Sequence, residues 1–148
     1  MTLGRRIGLA IVFGWFFFGG IGHFIVADFF IGIVPPWPFA EPWPLTAWSW
    51  PEFAVYVSGV IEIALALAVL HAPVRHYAGY ALIALTLAVT PANVYMWLNP
   101  ELFAQPPYAT PYWVLTLRLF IQVALLWCIW WSTRPPGPSR STGAAEAA

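Results

Sequence analysis

Four uninterrupted apolar stretches constrain this chain more than any other feature. They cover roughly residues 7–27, 53–72, 77–97 and 112–132, each close to the ~20 residues a helix needs to cross a bilayer. Backbone N–H and C=O groups cannot stay unpaired in hydrocarbon, and runs of this length fit helices rather than barrel strands of ~10 residues. The composition agrees: 61% of the 148 residues are hydrophobic and 8% charged, against about 25% charged in soluble domains. A soluble domain of this size would need far more polar surface. The expectation is an all-α polytopic membrane protein, a four-transmembrane-helix bundle over residues 1–133, embedded in the lipid bilayer.

Proline punctuates the boundaries. VPPWPFAEPWP (34–44) and Pro51 separate the first two spans, Pro73 sits in a tight turn after the second, and Pro106, Pro107 and Pro111 precede the fourth. A proline in a first helical turn gives up a donor that had no partner anyway. Pro91 falls inside the third span and is expected to kink it or to free a carbonyl near Leu87. The tail RPPGPSRSTGAAEAA (134–148) cannot bury a core and reads as a disordered cytoplasmic tail. The opening GRRIGLAIVFGWFFFGG could be taken for a twin-arginine signal, but the run is long for an h-region and no A-x-A site follows.

No lysine occurs, so every fixed positive charge is an arginine. Arg5 and Arg6 precede the first span, Arg75 lies between the second and third, and Arg134 and Arg140 follow the fourth. The two long loops carry Asp28, Glu41, Glu52 and Glu101 instead. By the positive-inside rule both termini are expected to be cytoplasmic, which four spans also require. Trp37, Trp43, Trp48, Trp50, Tyr108, Tyr112 and Trp113 crowd the outer boundary, as an aromatic belt does. Zero formal net charge and the lack of a basic patch argue against nucleic acid. Cys128 stands alone, which excludes an internal disulfide and a CxxC pair.

Depth singles out the candidate site. At ~1.5 Å per residue, Glu62 lies ~14 Å down the second span, Arg118 ~9 Å and Gln122 ~15 Å down the fourth, while His23 and Asn93 lie in the outer thirds of the first and third. All five fall in the outer half of the bundle. Ser58 shares a helix face with Glu62, and Arg118 shares one with Gln122. An ionisable side chain at such depth points inward and pairs with another, and Arg118 is the partner expected for Glu62. The cluster could fix helix register, form a ligand or proton site, or face lipid. A metal site is not expected, because His71 and His76 lie at the far, cytoplasmic ends of their helices. Ala84, Ala88 and Ala92, with Gly14, Gly19, Gly20 and Gly22, are expected to let backbones approach closely. The first and third spans each carry a polar residue followed by PPW or PPY and an inward helix with a charge, a faint echo of two repeated hairpins.

Five motifs then resemble something known. GGIGHFIVADFFIGIVPPW (19–37), YVSGVIEIALALAVL (56–70), RHYAGYALIALTLAVTPANVYMWLNP (75–100) and LRLFIQVALLW (117–127) together resemble the DoxX-like family of small bacterial membrane proteins. The pattern runs GxxHF and IVPP, then SGxxE, PAN with NP, and RLPxQ. By resemblance its motif positions fall on His23, Pro35, Pro36, Gly59, Glu62, Asn93, Arg118 and Gln122. Two departures stand out. Phe120 replaces the proline of RLPxQ, so the fourth helix should run straighter. IVADFF stands where relatives often show Asn-Pro, which leaves Asp28 as an extra acid near the rim.

The resemblance implies a multi-pass protein of the bacterial cytoplasmic (inner) membrane. Family members look like subunits of respiratory or sulfur-oxidising complexes, such as a thiosulfate:quinone oxidoreductase, and a eukaryotic relative acts as a receptor-assembly chaperone. A non-catalytic subunit or assembly factor of an oxidoreductase-type complex is therefore expected, with a partner protein or a homo-oligomer, rather than an enzyme on its own. A protein that binds a quinone-like or anionic ligand, and a pure scaffold, are the alternatives. No cofactor is evident from the residues themselves; the resemblance leaves a quinone open.

Overall fold

The computed structural model of the protein describes residues 1–35, 48–104 and 109–135. The expectations placed on Pro36, Trp37, Glu41, Trp43, Pro106, Pro107, Tyr108, Arg140 and the tail after Pro135 lie outside the described residues. Within them the chain forms six α-helices and a short 3₁₀ helix, with no strand. These are α1 (Leu3–Ile25), α2 (Ala27–Ile33), α3 (Trp50–Leu70), α4 (Arg75–Ala88), α5 (Thr90–Leu98), the 3₁₀ helix Pro100–Phe103, and α6 (Tyr112–Thr133). Four helical segments are long and apolar enough to cross a membrane: α1, α3, α4 with α5, and α6. At ~1.5 Å per residue each exceeds the ~30 Å hydrocarbon core.

Local chemistry moves several ends from where hydropathy places them. The first helix begins at Leu3 rather than near residue 7, because the Thr2 side chain accepts from Arg5 N. It stops at Ile25, where Val26 leaves helical geometry at φ −123°, ψ 46°. The chain then re-enters the short helix α2, where only loop was expected; Pro35 ends it, since the residue before a proline is held extended. The second span starts at Trp50 rather than Phe53. Ser49 and Glu52 form a reciprocal capping box around Pro51, and Glu52 Oε2 accepts from Ser49 N at 2.7 Å. The third span is two helices. Pro91 has no N–H to return to Leu87, and the helix breaks at Val89. The fourth is unbroken, as Phe120 in place of a proline permits.

α1 packs on α3 and α6, and α4 packs on the same two, so α3 and α6 occupy diagonal corners of the bundle. α2 lies against α1, α3 and α5 at the opposite end from the chain start. That start meets the end of α6: the Arg5 guanidinium donates to the carbonyls of Ser132 and Arg134. Arg75 does the same for α3, donating to Val69 O at 2.8 Å and Leu70 O at 3.0 Å. Two helix C-termini, where carbonyls lack partners and the macrodipole is negative, are thus capped by arginines at one end of the bundle.

The core is layered. Leu9, Val12, Phe16, Ala66, Val69, Leu82 and Ile129 pack together in the arginine half. Ile33, Met96, Phe103 and Leu115 form a smaller cluster near α2. Outside, the polarity is inverted relative to a soluble protein: Phe18 (69% exposed), Phe120 (70%) and Val123 (67%) point outward, while Glu62 keeps 8%. With four spanning helices, that pattern belongs to a multi-pass membrane protein.

The small residues divide. Ala84 and Ala88 are exposed and do not face the bundle as expected, whereas Ala92 packs against the smaller core cluster; on α4 the inward positions are Ala78, Gly79, Leu82 and Thr86. The reason is angular, since Gly79 is the position at which any Cβ would overlap Thr133 of α6. Gly14 likewise has nothing within 4 Å of where a Cβ would stand.

Candidate functional site

The polar residues of the interior fall into two seams. The first begins with two glycines. A Cβ on Gly20 would sit 2.8 Å from Gly59 O, and one on Gly59 would sit 2.8 Å from His23 Cβ, so α1 and α3 touch backbone to backbone. His23 lies over Gly59 and Glu62 over Gly20, so the two side chains flank this contact and approach each other across it. His23 Nδ1 lies 2.9 Å from Val55 O and 3.1 Å from Ser58 Oγ, and the Ser58 hydroxyl donates to Val55 O at 3.0 Å. His23 Nε2 stands 3.8 Å from Glu62 Oε1. The Phe30 ring of α2 lies on the imidazole with centroids 4.2 Å apart.

The second seam joins α4 and α5 to α6 at the Pro91 break. Thr86 O accepts from Thr90 Oγ1 at 2.9 Å and from Gln122 Nε2 at 3.0 Å. Gln122 Nε2 also donates to Thr90 Oγ1 at 2.5 Å, while Gln122 Oε1 accepts from Asn93 Nδ2 at 2.9 Å. Asn93 Oδ1 in turn accepts from Arg118 Nη2 at 3.0 Å. The amide of Gln122 is fully engaged. Further out, Trp97 Nε1 donates to Thr116 Oγ1 at 3.1 Å.

The expected Glu62–Arg118 pair does not form. Glu62 takes His23 and Arg118 takes Asn93, because α3 and α6 are diagonal while each of these pairs joins neighbouring helices. Each seam therefore stays inside one half of the chain. His23, Ser58 and Glu62 bind within residues 1–70, and Asn93, Arg118 and Gln122 bind within residues 75–133. Two rings of α2 connect them: Phe30 lies on His23, Phe29 meets Phe30 edge-on at 5.5 Å, and the Arg118 guanidinium stands over Phe29 at 5.9 Å.

The five side chains singled out by depth, and Ser58 with them, thus all enter a seam, and the face-sharing of Ser58 with Glu62 and of Arg118 with Gln122 holds. Thr86, Thr90, Phe29 and Phe30 were not anticipated. The threonines had a signal, being four apart in an apolar helix with Thr90 directly before Pro91. Among the described residues no three His, Cys, Asp or Glu side chains converge. A recess of about 470 Å³ lies elsewhere, bounded by Pro100, Glu101, Thr110 and Tyr112, and none of the six lines it.

Chemically, the first seam can hold a proton and the second can present an arginine and an amide. No curated protein and no solved structure matches the chain. A family model does match, over residues 12–133, which runs from the middle of α1 to the last residue of α6 and encloses both seams. The chain belongs to the family described as Domain of unknown function (DUF8561).

Proposed function

We propose that the chain is a DoxX-like protein of the bacterial inner membrane that serves as a non-catalytic subunit or assembly factor of an oxidoreductase-type complex. One observation carries this reading: the interior polar groups are engaged with one another across neighbouring helices, His23 with Ser58 and Glu62, and Asn93 with Arg118 and Gln122. Groups held in this way specify which helices pair. The broad apolar exterior is then the surface available to a partner. Purification from native membrane tests the idea. An oxidoreductase subunit at fixed stoichiometry is expected, and recovery of the chain solely as a monomer or homo-oligomer would overturn it.

Both termini belong on the cytoplasmic side in this proposal. The support is the gathering of Arg5, Arg75 and Arg134 at one end of the bundle and the acids Asp28, Glu52 and Glu101 toward the other. Carboxy-terminal fusions read this out. A fluorescent protein should mature and an alkaline phosphatase should stay silent; the reverse pattern sinks the assignment.

Arg118 favours a second reading. Among the described residues its half-buried guanidinium makes a single hydrogen bond, so donors remain for a quinone carbonyl or an anionic ligand. Mass spectrometry of quinones and lipids extracted from purified protein decides this. Wild type should retain a species that Arg118→Ala loses. With neither a partner nor a ligand recovered, the seams act as scaffold alone.

A further inference from the structure

The arrangement around His23 determines more than helix pairing. Val55 O, 2.9 Å from His23 Nδ1, is a backbone carbonyl and can only accept, so Nδ1 carries a hydrogen. The Ser58 hydroxyl sends its own hydrogen to the same carbonyl, which leaves its oxygen free to accept from Nδ1 as well. In a neutral imidazole Nε2 is then bare, and the nearest carboxylate oxygen, Glu62 Oε1, stands 3.8 Å from it, ion-pair rather than hydrogen-bond distance. Two acceptors would oppose each other in a closed, apolar seam, with His23 and Glu62 each 8% exposed.

We propose that His23 and Glu62 together form a binding site for one proton at the α1–α3 seam. The proton sits on Nε2, giving an imidazolium beside a carboxylate, or on the Glu62 carboxyl, giving an O–H that points at Nε2. The balance is the same in both forms: the pair is neutral with one proton, carries −1 with none and +1 with two. Each charged form is disfavoured in hydrocarbon, so the singly protonated pair is the resident state.

Among the described residues no other charge competes at the site. On α3, Glu52 is held by Ser49, and Tyr56 stacks on Phe24. α2 contributes the Phe30 ring, and its Asp28 is exposed. The titratable side chains of α4, namely Arg75, His76, Tyr77 and Tyr80, lie in its first two turns at the arginine end. α5 offers Tyr95, and on α6 Arg118 is held by Asn93. The site is internal to α1 and α3, and it exists whether or not a partner is bound.

The test uses the full chain in lipid nanodiscs, with ¹⁵N-labelled histidine and ¹³C-labelled glutamate. His71→Gln and His76→Gln leave His23 as the sole histidine. The ¹⁵N shifts report each ring nitrogen, and infrared spectroscopy reports whether the Glu62 carboxyl is protonated. At neutral pH the result expected is a protonated Nδ1 together with one shared proton, seen either on Nε2 or on the carboxyl. On raising the pH that proton should leave in a single step, with the same midpoint at both reporters. In Glu62→Gln the His23 step should move to a different midpoint. A bare Nε2 beside a carboxylate at neutral pH, an unprotonated Nδ1, or separate midpoints at the two reporters would each overturn the proposal. The wild-type titration decides by itself if Glu62→Gln does not fold.

Discussion

Gly20 and Gly14 sit six residues apart on α1, yet only one of them meets another helix. Gly20→Val would drive a side chain into Gly59 O and Ile63 Cγ1, both 2.8 Å from the Cβ position, whereas Gly14→Ala would meet nothing within 4 Å. We expect Gly20→Val to cost at least about 1–3 kcal/mol and to lose folded protein, with Gly14→Ala matching wild type in a thermal unfolding assay in detergent. The charges are tested by double-mutant cycles. His23 and Glu62 should couple by about 0.5–3 kcal/mol, because removing either strands the other. Glu62 and Arg118 should be additive to within about 0.5 kcal/mol, since they share no contact. Strong coupling between the latter two would mean that the diagonal pair forms after all.

At the scale of elements, the break at Val89 gives α6 something to bind. Thr86 O, just before it, accepts the Gln122 amide, and Asn93, just after it, donates to Gln122 Oε1. Pro91→Ala would restore an N–H for Leu87 O and allow α4 and α5 to merge. Intrinsic propensity favours alanine by about 3 kcal/mol, but a continuous helix would turn Asn93 away from Gln122. Lower stability is therefore expected in chemical denaturation, and a stabilised variant would show that the break has no role. This element was legible in advance, because a proline inside an apolar run has few readings. The capping box was written as Ser49-x-x-Glu52, yet Glu52 reads as a loop acid when only hydropathy is counted. α2 was hidden for a different reason: seven residues carry too little periodicity to separate a helix from a loop. The pairing of Glu62 escaped because depth orders residues along the membrane normal and says nothing about which helices are neighbours around the bundle.

On the scale of the whole molecule, the chain is two helical hairpins, α1 with α3 and α4–α5 with α6, each closed by its own hydrogen-bonded seam. Contacts across the two halves are mostly of another kind: apolar packing, the Arg118 guanidinium over Phe29, Cys128 Sγ 3.7 Å from Gly8 O, and the arginine caps, Arg5 on the end of α6 and Arg75 on the end of α3. The connecting turn, His71–Val74, is exposed throughout. A protein assembled in this manner should tolerate fragment complementation. Residues 1–72 and 73–148, translated as separate polypeptides in one cell, are expected to insert independently and to co-purify through a tag on either piece. A severance between His23 and Val55 would instead divide a seam from its own carbonyl and should yield nothing recoverable.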